Sequence, residues 1–395
     1  MIKDDSPALG RGGPYRRAQL AIAGLFCFLG FQYATWASRL PALKGRMDLN
    51  TAQLGLFLMV CGIGAAAAFP LVAVLMRRLG SRRLALGAAL LLAAVLVGFA
   101  TVRSYPAGMV LGALDGVGAA CLNVAMNAQG AELEARYGRT TMARLHATFS
   151  GGSLGGALLA SGVNLCTGSL LVHFAVAAAL LLVLLAAARP GLLAQGQQPV
   201  AEPAADRQRR RFALPTGAML WMGLAMAFGT IAEGAMNDWS ALYLRDVAHA
   251  AAGLMPLGIA VVSLMMVLAR VFADGWRARY GDGRIVRLGS ALAGAGLALG
   301  LLAGGVVPAL LGFACMGLGM AAVTPCVYVA AAGQGPEALS LVAGMGTTGL
   351  LAGPALIGLV AGLSGLAWGM AAIAACAGVV SLCALRIRFQ ATAPA

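Results

Sequence analysis

The chain carries one sequence pattern twice, at an offset of 201 residues. Gly116, on an apolar stretch of the first copy, corresponds to Gly317 in the second, and Gly80, which is followed by arginines, corresponds to Gly281. Each copy holds about six apolar stretches of membrane length. A duplicated set of apolar helices predicts two related helical bundles in a membrane, with the functional site where they meet.

Composition also predicts a membrane protein. Hydrophobic residues make up 60% of the chain and charged residues 11%, and the mean hydropathy is +0.85. A soluble helical protein, the alternative, would need polar helix faces that these stretches lack. A bilayer core of about 30 Å needs about 20 helical residues. Windows of that size give twelve predicted spans: 18–38, 52–75, 84–103, 107–130, 146–165, 168–188, 214–236, 251–273, 286–305, 308–331, 338–362 and 365–385.

Ala, Leu and Gly dominate these stretches without strand-like alternation, so the spans are predicted to be helices, which satisfy every backbone donor and acceptor in lipid. We expect an all-α polytopic membrane protein with twelve transmembrane helices in two pseudo-symmetric six-helix bundles. Residues 1–188 would form the N-terminal bundle and residues 214–395 the C-terminal bundle. Residues 189–213, rich in Gln, Pro, Ala and Arg, would form a flexible cytoplasmic linker.

The net charge of +14 is distributed by side of the membrane. With the N-terminus inside, 22 of the 28 basic residues fall on the inner side and five on the outer side. This bias places both termini in the cytoplasm, and we expect no nucleic-acid partner for what are topological anchors. The first apolar stretch is too long for a signal peptide and no clear small-residue cleavage site follows it, so it is expected to remain as the first helix.

Motifs for bond-making chemistry are missing from the sequence. The eight cysteines lack short paired spacing, so no disulfide framework, metal site or cofactor is predicted. Neither a nucleotide-binding loop nor a catalytic constellation is visible, so the chain is not expected to be an enzyme. In the fifth span, the small residues predict close helix packing; they are Gly151, Gly152, Gly155 and Gly156.

Twelve spans, a central basic loop and a Gly-Arg turn after the second and eighth helices resemble the major facilitator superfamily over nearly the whole chain. Matching loop residues are Arg270, Asp274, Arg277, Arg279 and Gly281 in the second half and Arg78, Gly80, Arg82 and Arg83 in the first. Arg77 stands where the family usually has an aspartate. The resemblance implies a gating role for Arg78, Gly80, Arg82, Arg270, Asp274 and Arg277. Asp274 and Arg270 would latch one conformation or, alternatively, only anchor the loop at the headgroups.

Three segments resemble a largely uncharacterised bacterial branch of that superfamily, related to the fucose permease. They are NVAMNAQGAELEARYGR, HATFSGGSLGGALLASG and AEGAMNDWSALYLRD. No substrate carries over, because the sugar/proton symporters of that relation have an acid in the first helix, where this chain offers only Gln32, Tyr33 and Thr35. Drug/proton antiporters are less similar, since they have an arginine in the fourth helix and the fourth predicted span of this chain, 107–130, has no arginine.

Asp115 in the fourth span and Glu233 in the seventh are the residues that we expect to couple protons to transport. A charge near the bilayer centre costs several kcal/mol unless it faces a wet cavity or a partner. Asn123 and Asn127 share a broad helix face with Asp115, which predicts a cavity lining or, alternatively, hydrogen bonds that only hold the bundle together. Asn237 lies four residues after Glu233 and on the same face.

The other predicted solute contacts are aromatic, amide and hydroxyl side chains, which can stack on and hydrogen-bond a small polar solute. They are Gln32, Tyr33 and Trp36 in the first span, Trp239 beside Asn237 in the seventh, and Thr324 and Tyr328 in the tenth, which mirror Asn123 and Asn127. Trp36, Trp239 and Tyr243 can alternatively be interfacial anchors, and Asp238 a helix-end residue in water.

Together these patterns predict a secondary active transporter of the bacterial inner membrane that moves a small polar solute, a sugar or related metabolite, by proton-coupled alternating access. One alternative is an efflux transporter for drugs or metabolites. Another, from a different class, is a membrane receptor or scaffold that moves no solute. The expected partners are the solute, protons and the lipid bilayer, and the chain is expected to act as a monomer.

Overall fold

A computed structural model describes residues 13–139, 141–194 and 217–389. Within these ranges the protein is built from α-helices and contains no β-strand. The helices are α1 (Pro14–Ala37), α2 (Leu40–Arg46), α3 (Thr51–Thr101), α4 (Tyr105–Tyr137), α5 (Met142–Cys166), α6 (Leu170–Ala188), α7 (Gly217–Asp246), α8 (Leu257–Tyr280), α9 (Asp282–Ala303), α10 (Val306–Met320), α11 (Val323–Ala332), α12 (Pro336–Ser364) and α13 (Leu366–Ala384). The all-α prediction is confirmed for this part of the chain.

Ten stretches of helix in the described ranges are long and apolar enough to cross a membrane. The predicted fifth span is helical as α5 but is not among them, and the apolar part of α8, Leu257–Ala273, is shorter than a span. The count of twelve therefore remains a prediction. The predicted tenth span is divided into α10 and α11 by a break at residues 321 and 322.

Gly80 separates the second and third predicted spans, which otherwise run together as α3. Its backbone has φ 74° and ψ 167°, a conformation that glycine adopts without the steric cost borne by other residues. Gly281, at the same place in the second copy, has φ 78° and ψ 148° and joins α8 to α9. The two corresponding glycines therefore share a positive φ at equivalent turns.

Glycines also set how closely the helices approach each other. A Cβ atom at Gly116 of α4 would overlap the carbonyl oxygen of Cys61 on α3, and one at Gly317 of α10 would overlap that of Val262 on α8. Both partners of the second contact lie 201 residues after those of the first. The helix packing therefore repeats at the same offset as the sequence pattern.

The predicted close approach of the fifth span is found where α5 crosses α1. Cβ atoms at Gly152 and Gly156 would overlap the carbonyl oxygens of Cys27 and Phe31, whereas Gly151 has nothing within 4 Å on its open side. Helices α12 and α7 repeat this arrangement in the second half. Close backbone contact, made possible by small residues, replaces the hydrophobic driving force that is absent between helices in lipid.

The two ends of the helical structure are defined by contacts between loops. Near the chain termini, Tyr15 hydrogen-bonds to Thr141 with 2.8 Å between the oxygens, and we call this the terminal end. At the opposite end, called the far end, Arg39 donates a 2.6 Å hydrogen bond to the carbonyl of Gly168. Helices of residues 13–194, the first half, contact those of residues 217–389, the second half, mainly where α5 meets α8 and α3 meets α12.

Candidate functional site

Asp115 lies inside the first half, where Gln32 of α1 donates a hydrogen bond from Nε2 to its Oδ1 at 2.8 Å. The Asp115 residue is 4% exposed and Gln32 is 1% exposed. The next residue, Gly116, lets α4 pack against the backbone of α3 and so fixes the depth of Asp115. The carboxyl group therefore points into the protein and away from lipid, where it would be costly.

Asp238 of α7 is bound by the residue next to Gln32. The hydroxyl of Tyr33 donates a 2.6 Å hydrogen bond to Oδ1 of Asp238, which joins the first half to the second. Asp238 is 4% exposed. The alternative interpretation of Asp238 as a helix-end residue in water is therefore wrong, because α7 continues to Asp246 and keeps residue 238 inside the protein.

Five residues form what we call the seam cluster: Gln32, Tyr33, Cys61, Asp115 and Asp238. The two hydrogen bonds connect four of them in two pairs, and the backbone of Cys61 on α3 packs against Gly116, the residue after Asp115. In the described ranges neither carboxyl forms an ion pair with an arginine or lysine. Two acidic groups held by neutral donors at the contact between the halves are equipped to exchange protons or to bind a polar solute.

Glu233, the other predicted proton-coupling residue, has a cationic partner. Its Oε1 lies 3.6 Å from a guanidinium nitrogen of Arg270 on α8, and the two side chains are 31% and 27% exposed. Arg270 also donates a 2.7 Å hydrogen bond to the hydroxyl of Ser150 on α5, in the other half. The amide of Asn237 donates at 3.1 Å to the backbone carbonyl of Glu233, so these residues share a helix face as expected.

The tryptophans Trp36 and Trp239 are packed in the protein interior. Trp36 is 2% exposed and meets Tyr33 edge to face, with 5.6 Å between ring centroids. Trp239 is fully buried, and so is Tyr243 at 1% exposed, so the alternative interpretation of these rings as interfacial anchors is wrong. Both rings fill space between helices, and solute contact through the two indoles remains a prediction.

The remaining predicted solute contacts lie outside the seam cluster. Asn127 donates to the side-chain oxygen of Asn123 at 2.7 Å, and Asn123 itself is exposed. Thr324 and Tyr328 are half-buried on α11. Within the described ranges none of the four hydrogen-bonds to the seam cluster, so a shared solute site that includes them remains a prediction.

Four of the predicted gating residues, Arg78, Gly80, Arg82 and Arg277, lie at the terminal end, whereas Arg270 lies between the halves beside Glu233. Arg82, after the Gly80 turn, donates a 3.1 Å hydrogen bond to the carbonyl of Arg189, and Arg78 is exposed. Arg277 makes two hydrogen bonds, of 2.9 and 3.1 Å, to the buried carboxylate of Asp282 at the start of α9. The side chain of Asp274 lies outside the described residues, so its predicted pairing with Arg270 stays untested.

The two halves are tied together at the far end. Arg245 donates to the carbonyl of Pro41, and Lys44 lies 3.5 Å from a carboxylate oxygen of Asp246. Asn164 of α5 donates at 3.0 Å to a backbone carbonyl that follows α7. The Tyr33–Asp238 bond lies on the same side of the structure, so the halves are closed together at the far end.

The sequence does not single out two buried ionisable residues. It leaves Asp238 open between a place beside Glu233 and Asn237 and a helix end in water, because the predicted seventh span ends at residue 236. Arg39 follows α1 and is 3% exposed, and burial lowers the pKa of its guanidinium group from the ordinary value. No sequence signal distinguished this buried arginine from the exposed loop arginines.

Known proteins share this architecture. An uncharacterised MFS-type transporter of Yersinia pestis is 32% identical over 353 residues, which cover 86% of this chain and 88% of that protein. Membrane protein MosC of Rhizobium meliloti is 29% identical over 380 residues, which cover 92% and 88%. The crystal structure of a mutant of the nucleoside transporter NupG superposes with a TM-score of 0.73 at 15% identity and covers 94% of this chain and 99% of that chain.

A bacterial homologue of the human lysosomal transporter Spinster, in an inward-facing and occupied conformation, superposes with a TM-score of 0.72 at 14% identity, over 94% of this chain and 97% of that chain. At such identities the two structures indicate the fold alone. The family model of the Major Facilitator Superfamily matches residues 20–338. This multi-pass membrane chain therefore belongs to the Major Facilitator Superfamily, a family of transporters and not of enzymes.

Proposed function

We propose that the protein is a proton-coupled secondary transporter of a small polar solute in the bacterial inner membrane. It works by alternating access between two six-helix bundles, residues 1–188 and 214–395, joined by the linker 189–213. Both termini lie in the cytoplasm, where the basic residues near the terminal end would be retained. The carboxyl, amide and hydroxyl groups predicted to line the cavity put sugars and other small polar metabolites first among the candidate solutes.

The hydrogen bond between Tyr33 and Asp238 carries this proposal. It is 2.6 Å long, its acceptor Asp238 is buried, and its partners belong to different halves of the chain. Any motion that separates the halves at the far end must break it. The Asp238 carboxyl therefore experiences different surroundings in the two states, which is what proton coupling requires.

Asp115 supports the same mechanism from within the first half. Its bond to Gln32 keeps a second carboxyl group within electrostatic range of Tyr33. Glu233 differs from these two acids because it forms an ion pair with Arg270. We therefore assign the coupling proton to Asp238 with Asp115, and assign Glu233 and Arg270 to a charge pair that lines the path between the halves.

The solute site in this proposal lies beside the seam cluster. Tyr33, Asn237, Glu233 and Arg270 are all half-buried where α1, α5, α7 and α8 meet. They combine hydroxyl, amide, carboxylate and guanidinium groups, which together suit a solute with several hydroxyl or amide groups. A hydrophobic drug would form no hydrogen bonds with these polar groups, so efflux of such drugs is the less favoured alternative.

The test is uptake into proteoliposomes with an imposed pH gradient. The panel contains labelled sugars, nucleosides, organic acids, amino acids and amphiphilic drugs. For the transported solute, Asp238→Asn is expected to abolish accumulation driven by the gradient and to preserve exchange of labelled for unlabelled solute, because exchange needs no net proton movement. Glu132→Gln, which removes a half-buried carboxyl of α4 outside the seam cluster, is expected to leave both activities intact.

Three outcomes would contradict the proposal in different ways. Binding without flux for every member of the panel would favour a receptor or scaffold. Accumulation that survives in both Asp238→Asn and Asp115→Asn would remove the proton assignment but leave transport standing. Extrusion of amphiphilic drugs with no uptake of polar solutes would support the efflux alternative.

A further inference from the structure

An apolar groove lies at the terminal end of the second half, away from the seam cluster. It has a volume of about 390 Å³ and runs between α8, α9 and α10. Its lining includes Trp276, Tyr280, Arg284, Leu288 and Leu292, and the rest of the lining is aliphatic side chains and glycines. We call it the α8–α10 groove.

The groove opens toward the surroundings of the protein. Leu288 and Leu292 are 61% and 43% exposed, and Phe272, which stacks on Trp276 with 5.9 Å between ring centroids, is 55% exposed. In a membrane protein, such a continuous exposed apolar surface faces hydrocarbon. The body of the groove is therefore surrounded by acyl chains.

The rim of the groove has the chemistry of a lipid headgroup site. Arg284 is exposed and forms no hydrogen bond or ion pair with any described residue. Trp276 and Tyr280 line the same groove, and their rings favour the membrane interface. Arg279 stacks over Tyr280 at 5.4 Å and adds a second positive charge. An exposed guanidinium group in a groove lined by interfacial aromatic rings complements a phosphate.

The volume fits an acyl chain below that headgroup. A water molecule occupies about 30 Å³ and a methylene group is of similar size, so the groove has room for about a dozen such groups. The first half carries only part of this arrangement. At the offset of 201 residues, Arg83 corresponds to Arg284. The positions that correspond to Trp276 and Tyr280 are occupied by Leu75 and Leu79, which are not aromatic.

We propose that the α8–α10 groove is a binding site for one anionic phospholipid of the surrounding leaflet. One acyl chain fills the apolar groove, and the phosphate binds Arg284. The site is separate from the seam cluster, so it does not depend on which solute is moved or on whether protons drive the transport.

Short-range quenching of tryptophan by brominated lipid tests this site. The protein is placed in nanodiscs of phosphatidylcholine with a minority of phosphatidylglycerol, and bromine is carried either by the phosphatidylglycerol or by an equal amount of phosphatidylcholine. The Trp276 signal is the tryptophan fluorescence of the natural protein minus that of the Trp276→Phe variant. We expect quenching of this signal to report about fivefold enrichment of phosphatidylglycerol, the preference that one arginine gives for an anionic lipid.

Arg284→Gln is expected to remove the preference, while Arg83→Gln, the matched arginine of the first half, is expected to keep it. Size-exclusion elution and melting temperature establish that the variants fold. If Arg284→Gln does not fold, raising the salt concentration on the natural protein should weaken the preference instead. Equal quenching by the two brominated lipids in the natural protein would overturn the proposal, as would displacement of the brominated phosphatidylglycerol by inorganic phosphate.

Discussion

The closure of the far end depends on two glycines that face each other across the halves. Gly55 of α3 and Gly358 of α12 are so close that a Cβ atom on Gly358 would lie 2.7 Å from the Cα atom of Gly55 and 3.1 Å from the ring of Trp239. The nearest of these atoms belongs to backbone and cannot rotate away. Gly358→Ala is therefore expected to force α3 and α12 apart.

The size of the effect follows from the cost of overpacking. Inserting a methyl group into a tight contact costs about 1–3 kcal/mol when the surroundings do not relax. Opening of the far end removes the contact, so the open state does not bear that cost. A difference of this size changes the ratio of open to closed molecules by about 5-fold to 150-fold.

Double electron–electron resonance spectroscopy between two spin labels measures the ratio of open to closed molecules. The labels are attached at Gly45→Cys and Ala251→Cys, two exposed far-end positions in different halves, after replacement of the eight native cysteines. Gly358→Ala is expected to increase the long-distance population. Gly87→Ala, at a helical glycine with nothing within 4 Å of its Cβ position, is the control and should leave the distribution unchanged. A folded Gly358→Ala protein with the natural distance distribution would refute the assignment of this contact to the closed state.

Three further predictions concern stability. Gly317→Ala places a Cβ atom on a carbonyl oxygen of α8 and is expected to lower the melting temperature, while Gly378→Ala, which has open space, should not; equal melting temperatures would contradict the packing argument. Asn50→Ala removes the capping box that begins α3 and should cost about 0.5–2 kcal/mol in the free energy of unfolding, measured by denaturant titration. Arg277→Gln leaves the buried carboxylate of Asp282 without its cation; because the arginine is partly exposed, the expected cost is about 2–3 kcal/mol, and Asp282→Asn in the same background should restore part of it.

Much of the fold was predictable because membrane helices leave strong signals in sequence. Apolar length predicted most of the spans, and the offset of 201 residues predicted that Gly80 and Gly281 occupy equivalent turns. What length and hydropathy do not encode is where a helix stops once it leaves the apolar region. Helix α7 continues to Asp246, ten residues beyond the predicted end at 236, because polar residues continue a helix when neighbouring helices bury them.

That difference decided which site residues were recognised. Gln32, Tyr33 and Asp115 were predicted because polar groups inside apolar stretches are costly and need partners. For Asp238 the sequence leaves two interpretations open, because the predicted seventh span ends two residues before it. The pairing of Glu233 with Arg270 depends on the rotation of α7 relative to α8, which spacing within either helix does not contain.

Adjacent positions on one helix hold the two carboxyl groups of the seam cluster, and this has a consequence for stoichiometry. Gln32 binds an acid of its own half, so that bond travels with α1 when the halves part, whereas the neighbouring Tyr33 must release its acid. Only one of the two acids then changes its hydrogen-bonding partner during a cycle. A carrier built in this way would couple a single proton to each solute molecule, although it contains two buried acids.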